Sequence, residues 1–263
     1  MAQHRAKHRG RPQPARHHRT GHRARRHVGL GGITMFLTRM QINPRRRGAR
    51  ILLSSPQALH AAVCSGFADA APSDEGRILW RLDNYGPHRV ILFVASPDKP
   101  DFTHIIEQAG WPTTETWDTK PYERLLDRLS VGQRWQFRLT ANPVHSGRRE
   151  GWTDTKPLGH VTVRQQEQWL LDRASRHGFH ILPRQANDAS AGEVELAVTD
   201  RGVRRFARGD KRVTISTATF EGVLEVTDAA ALKNSLSFGI GRAKSYGCGL
   251  LTLAYPTTSD NPR

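Results

Sequence analysis

The sequence predicts an α+β protein made of two βαββαβ units in tandem. Three observations carry this expectation. Short runs with apolar residues at every second position, the spacing of half-buried strands, alternate with stretches of helical period. The order strand, helix, strand, strand, helix, strand runs from Met35 to Asn142-Pro143, and the second half repeats that layout as an order of elements, not of residues. The length, 263 residues, suits two small domains.

In the first unit, Phe36, Thr38, Met40 and Ile42 share one face of an opening strand. Ser55-Pro56 supplies an N-cap followed by proline at the first helical position, and Leu59, Val63 and Phe67 then form one core stripe. Arg77–Asp83 and His88–Ser96 read as adjacent strands around the turn 84–87, Asn-Tyr-Gly-Pro. Phe102–Ala109 is a short helix ending at Gly110, and Arg134–Thr140 alternates as the closing strand. In the second unit Arg164–Arg176 is amphipathic and stops at Gly178. Glu193–Ala207 and Arg212–Val226 are long strands around Arg208-Gly209-Asp210, Asp228 caps a helix over Ala229–Leu236, and Cys248–Tyr255 is the last strand. The expected organisation is a disordered basic tail (1–34), a first domain (35–143), a second domain (144–257) and a disordered C-terminal tail (258–263).

The formal net charge is +16, unevenly spread: residues 1–34 hold nine Lys/Arg and no Asp/Glu. The remaining chain is basic as well, which suits a polyanion, since each neutralised phosphate releases counterions. The tail has six histidines without the spacing of a metal site. Met35 is also a candidate translation start, and residues 1–34 are then either foreign to the native chain or a nonspecific polyanion anchor. No apolar run is long enough to span a bilayer. The N-terminus lacks the apolar segment of a secretory signal. Cys64 and Cys248 have no metal-ligand spacing, and reduced thiols in the cytoplasm are expected.

The densest chemical signal is Phe238-Gly-Ile-Gly-Arg-Ala-Lys-Ser-Tyr-Gly-Cys-Gly-Leu250. Gly239, Gly241, Gly247 and Gly249 bracket Arg242 and Lys244, a composition that lets backbone approach another surface and present N–H groups to an anion. It is not a dinucleotide fingerprint, because it follows a helix and leads into a strand. Nor is it a Walker loop, since Ala243 stands where glycine must precede Lys-Ser. A tight connection with incidental charge is the bland alternative; four glycines around two cations favour an RNA contact.

This segment, with Phe220–Asp228 upstream, resembles the C-terminal Gly-rich signature of the RAMP superfamily of CRISPR-associated RNA-binding proteins, and within it the CasE branch. The opening Met35-Phe-Leu-Thr-Arg-Met-Gln-Ile42, Leu79-Trp80-Arg81 and Arg138–Pro143 are similar to the family at corresponding places, so the resemblance covers about residues 35–255. It implies tandem ferredoxin-like (RRM-like) domains. It implies cleavage of a repeat stem-loop in precursor CRISPR RNA without metal or cofactor, the 2′-OH attacking the adjacent phosphate to leave 2′,3′-cyclic phosphate and 5′-OH ends. The implied partners are the repeat RNA, the mature crRNA and other Cascade subunits, with DNA met only through the complex and no membrane. It also implies a catalytic histidine early in the first helix, the place of His60 in Gln57-Ala-Leu-His60.

The residues themselves are compatible. His60 follows the core position Leu59 and so projects about 100° from the core stripe. An imidazole there can take a proton from a 2′-OH or give one to the leaving 5′-oxygen, and the sequence leaves both roles open. The family often has tyrosine three residues before this histidine. Here Gln57 stands there, able to donate a hydrogen bond but not to act as a phenolic acid or base; Lys244 or another group is then needed to help. A second basic cluster, Arg201–Arg212, holds six basic residues and one Asp; Arg204, Arg205, Arg208, Lys211 and Arg212 form a hairpin suited to an RNA stem. Arg45, Arg46, Arg47 and Arg50, expected in a loop before the first helix, are a third patch for flanking phosphates. Asp69, Asp74, Glu75 and Asp83 are scattered, without the pairing of a two-metal site. Trp111, Trp117 and Trp152 are core or a surface for a neighbouring subunit. A non-cleaving RNA-binding subunit of a CRISPR ribonucleoprotein, or a general structured-RNA binder, are the competing readings.

Overall fold

The computed structural model describes residues 34–111, 117–148, 153–184 and 194–256. The basic tail through residue 33, Trp152 and the C-terminal tail lie outside the described residues.

Strand β1 (Phe36–Ile42) leads into two helices, α1 (Arg47–Ser54) and α2 (Pro56–Cys64). Then follow β2 (Leu79–Asn84), β3 (Val90–Ser96), α3 (Thr103–Ala109) and β4 (Asp118–Pro121). The sheet order is β2-β3-β1-β4, with β1 antiparallel to both neighbours. Helix α2 begins where Ser55-Pro56 predicts: the Ser55 hydroxyl accepts from the Ala58 N–H at 3.2 Å. Its Leu59 and Val63 are buried with Met40, Ile42, Leu92 and Phe102 in the first core.

Helix α1 was not expected. Arg47 and Arg50 lie on it, not in a loop; the run of arginines and Pro44 hides the spacing of Ala49 and Leu52, which are buried.

After a single helical turn α4 (Glu123–Leu126), β5 (Arg134–Ala141) opens the second sheet. This corrects the reading of Arg134–Thr140 as the closing strand of the first unit: β5 pairs with β10 and β11, and β4 closes the first sheet. Its alternation of Trp135, Phe137 and Leu139 says which face is buried but not which sheet receives it. The hairpin β6 (Val144–Gly147) and β7 (Lys156–Gly159) follows, then α5 (Val163–Ala174), closed by Ser175–His177 and by Gly178 at φ 80°. Strands β8 (Phe179–Ile181), β9 (Leu196–Arg208) and β10 (Lys211–Val226), helix α6 (Ala229–Phe238) and β11 (Leu251–Ala254) complete the chain. Asp228 caps α6 as expected, accepting from the Ala231 N–H at 3.0 Å.

The sheet order is β11-β5-β10, with β8 and β9 sharing the far edge of β10. With β8 and β9 counted as one interrupted strand, both sheets have the same arrangement: first strand between third and fourth, second strand outermost. The fold is therefore two tandem ferredoxin-like units, as expected.

Arg81 joins them. Its guanidinium, 2% exposed, chelates Asp83 (2.7 and 2.9 Å) and donates to the carbonyls of Arg138 and Leu250 (2.9 and 3.0 Å) and to Thr252 Oγ1 (2.9 Å). One buried cation on β2 thus holds β5 and β11 of the other sheet, with its N–H donors occupied. No helix among the described residues is long and apolar enough to cross a membrane.

Candidate active site

The start of α2, the tip of the β9–β10 hairpin and the Gly-rich connection from α6 to β11 meet in a cleft of about 490 Å³. Gln57 and His60, one helical turn apart, line its α2 side. Arg208 enters from β9, and Gly241, Arg242 and Lys244 from the Gly-rich segment. Six of the residues expected to act on RNA, separated by up to 187 positions, therefore share one cleft.

Three further lining residues, Arg77, Ser245 and Tyr246, were not picked out from the sequence. Arg77 precedes β2 and carries no motif; only the folding of β2 beneath α2 brings it in. Among the described residues four cations and no carboxylate line the cleft, a composition for phosphate.

His60 is half-buried. The Trp80 indole N–H donates to its Nδ1 at 3.3 Å, and the Cys64 Sγ lies 3.6 Å from the same nitrogen. Burial first, then the charges of Arg77 and Arg208, lower the His60 pKa below that of a free imidazole, so the ring is neutral at neutral pH. Burial and Arg77 likewise lower the Lys244 pKa, and burial raises that of the Cys64 thiol.

The Gly-rich segment is shaped by the protein's own aromatics. Gly247, at φ 80°, has no room for a Cβ, which would stand 2.6 Å from the Trp80 ring. At Gly241, φ 81°, a Cβ would meet the Trp169 ring at 3.1 Å. Their lack of side chains thus serves internal packing, and only Gly241 of the four glycines lines the cleft. Ala243 is the only non-glycine residue among those described with a left-handed backbone, at φ 62°, and it faces the cleft next to Lys244.

The hairpin is fixed to this segment by Phe206, whose ring meets that of Tyr246 edge-on at 4.7 Å between centroids. Period two along β9 then puts Arg204 and Arg208 on the Phe206 face and Arg205 on the other. Arg204 lines a neighbouring hollow with Asp83 and Asp200. Arg205, Lys211 and Arg212 stand exposed on the hairpin. Of the early arginines, Arg46 is turned inward: it donates to the carbonyls of Ile106 and Gly110 at 3.1 and 3.2 Å, and to that of Glu107, closing the end of α3. Arg45, Arg47 and Arg50 are exposed outside the cleft. Two of the scattered carboxylates have local employment: Asp83 is buried against Arg81, and Asp69 accepts from the Ala71 N–H. Trp117 packs edge-on against Phe102 in the first core.

The model of the CRISPR associated protein family matches residues 35–255. The chain belongs to that family. It is 30% identical over 224 residues to the CRISPR-associated endoribonuclease Cse3 of Thermus thermophilus, a match covering 84% of this chain and 100% of the relative. It is 31% identical over 188 residues to the Cascade subunit CasE of Escherichia coli, covering 67% of this chain and 88% of the relative. Among solved structures, Thermus thermophilus Cse3 bound to an RNA representing a pre-cleavage complex is similar at TM-score 0.69 and 26% identity, over 84% of this chain and 99% of the other. The family relation thus coincides with the span over which the sequence signature and the two-sheet fold extend.

Proposed function

We propose that this protein is a metal-independent endoribonuclease that cleaves precursor CRISPR RNA at the repeat stem-loop and keeps the mature guide as a Cascade subunit. The observation that carries this reading is the convergence of His60 with Arg77, Arg208, Arg242 and Lys244 in one cleft. Relatives named as a CRISPR endoribonuclease and as a Cascade subunit support it over nearly the whole folded chain.

In this reading the four cations hold the scissile phosphate and neutralise the charge that grows on it as the 2′-oxygen attacks. His60 handles the proton at the reacting atoms, leaving a 2′,3′-cyclic phosphate and a 5′-OH. Gln57 donates a hydrogen bond to a phosphate oxygen, and Tyr246 brings a phenol into the same cleft. The exposed cations of the hairpin (Arg205, Lys211, Arg212) and of the first domain (Arg45, Arg47, Arg50) track the RNA backbone on either side. Both cysteines are free, which accords with a cytoplasmic protein.

Gln57 also favours a second reading, a subunit that binds repeat RNA without cutting it. Incubation of repeat RNA with the protein in excess EDTA decides between them. Cleavage by the wild type, lost in His60→Ala with RNA affinity retained, is the expected result. Tight binding without cleavage by the wild type establishes the second reading. An RNA with deoxyribose at the scissile nucleotide should bind and stay intact.

A further inference from the structure

The buried tryptophan beneath the cleft decides which proton role His60 can take. Trp80 is 1% exposed, and its ring is held by Gly247, whose backbone lies against it. An indole nitrogen only donates. With its N–H directed to His60 Nδ1 at 3.3 Å, that nitrogen must offer its lone pair. The Cys64 sulfur lies 3.6 Å from the same atom and 3.8 Å from Nε2, so it does not discriminate between the two nitrogens, and the indole alone fixes the tautomer.

Resting on the endoribonuclease reading above, we infer that Trp80 is a positioning residue: it fixes His60 as the tautomer protonated on Nε2, so that His60 acts as an N–H donor to the departing 5′-oxygen and not as the base for the 2′-OH. A neutral ring with a proton on Nε2 and an occupied lone pair on Nδ1 has no site left to receive one. In the step that follows, the bond from O2′ to phosphorus forms and that from phosphorus to O5′ breaks. The Nε2 proton passes to O5′, the 2′ proton leaves to solvent water, and water restores the proton on Nε2. A neutral imidazole serving as hydrogen-bond donor has precedent in enzymes whose histidine pKa is lowered by its surroundings.

The charged and titratable groups around the ring agree with a neutral donor. Cys64 faces it on its own helix, Arg77 from before β2 and Arg208 from β9, with Arg242, Lys244 and Tyr246 across the cleft. Among the described residues no carboxylate lines the cleft to stabilise an imidazolium. A second proton would have to settle on Nδ1, against the indole N–H and among these cations.

The first test is nitrogen-15 NMR of histidine-labelled free protein, with the His60 signals identified by their loss in His60→Ala. At neutral pH, Nδ1 should show the shift of a bare ring nitrogen and Nε2 that of a protonated one. The opposite tautomer overturns the inference. The second test is Trp80→Phe, which removes the donor and keeps an aromatic ring, though a smaller one. RNA affinity should hold while the single-turnover cleavage rate falls about three- to tenfold, the range for losing one hydrogen bond. Below neutral pH the variant should regain rate toward the wild type, because the freed Nδ1 protonates more readily and leaves Nε2–H in place as a stronger donor. An unchanged rate and profile overturn the inference, and folding of the variant is checked by its NMR spectrum. Cleavage that survives His60→Ala is a different failure: it sinks the catalytic assignment of His60, whereas the tautomer is read independently in the free protein.

Discussion

At the scale of single residues, the proposed function assigns the cations that line the cleft to the reacting phosphate and those outside it to the RNA backbone. Arg208 and Lys244 line the cleft, while Arg205 and Lys211 stand outside. Replacing Lys211 by alanine should weaken repeat-RNA binding and lower the slope of log affinity against log salt by about 1, with the cleavage rate of bound RNA unchanged. Replacing Lys244 by alanine should lower the salt slope equally and also slow cleavage, by about tenfold or more if a charge-assisted contact to the transition state is lost. Filter binding across a salt series and single-turnover assays read the two quantities separately. His60 and Gln57 were named through the family resemblance, since their helical spacing alone marks only a solvated flank. Arg77 and Trp80 were not legible as site residues, because a strand residue under a helix has no local signature.

At the scale of elements, the site depends on three joints. Ser55 starts α2, Phe206 against Tyr246 ties the hairpin to the Gly-rich segment, and Gly247 seats that segment on Trp80. The third is the tightest. Gly247→Ala places a methyl 2.6 Å from the indole ring at φ 80°, so both backbone and packing resist it. A loss of about 2–4 kcal/mol is expected from strain and overpacking together, measured by urea unfolding, with cleavage reduced at temperatures where the variant is still folded. Phe206→Ala should instead leave α2 and the loop intact and release Arg208, lowering cleavage more than stability permits by itself. The elements were largely readable from the period of their own residues. Helix α1 was not, because its arginine run resembles a solvated loop, and β8 is three residues long.

At the scale of the whole molecule, the two sheets are joined by the buried Arg81–Asp83 pair and a core that runs from Met35 and Leu79 into Phe220 and Leu250. Arg81→Met leaves the buried Asp83 carboxylate only its longer contacts with Arg138 and Tyr85, at 3.6 and 3.5 Å, and should cost about 3–5 kcal/mol, whereas Arg81→Met with Asp83→Leu should recover most of that loss. Urea midpoints for the two variants check the difference. Acid stability belongs to this scale too. Burial first, then Arg176, Lys244 and Arg173, lowers the His177 pKa from 6.5 to about 4, and the His60 pKa is lowered as well. These rings are neutral in the fold and take up protons more readily when unfolded. The His177 contribution is whole above about pH 6.5 and disappears as the pH falls toward 4, and that of His60 weakens below 6.5 in the same sense. The melting temperature should drop across that window, and His177→Gln should flatten the drop.

From sequence alone came the α+β class, the doubled βαββαβ order, the caps at Ser55 and Asp228 and the family signature. Each is written in local spacing or in a contiguous motif, which folding does not alter. The tertiary structure decided what spacing cannot carry: that Arg134–Ala141 joins the second sheet, that Arg46 closes a helix, and that the glycines pack on tryptophans. It also placed the Trp80 N–H on His60. Strand pairing and side-chain contact join residues tens to hundreds of positions apart, and the same alternating strand satisfies either sheet until its partners arrive. The Gly-rich segment shows both sides: its composition named it, but its packing assigned its glycines to the fold and its cations to the cleft.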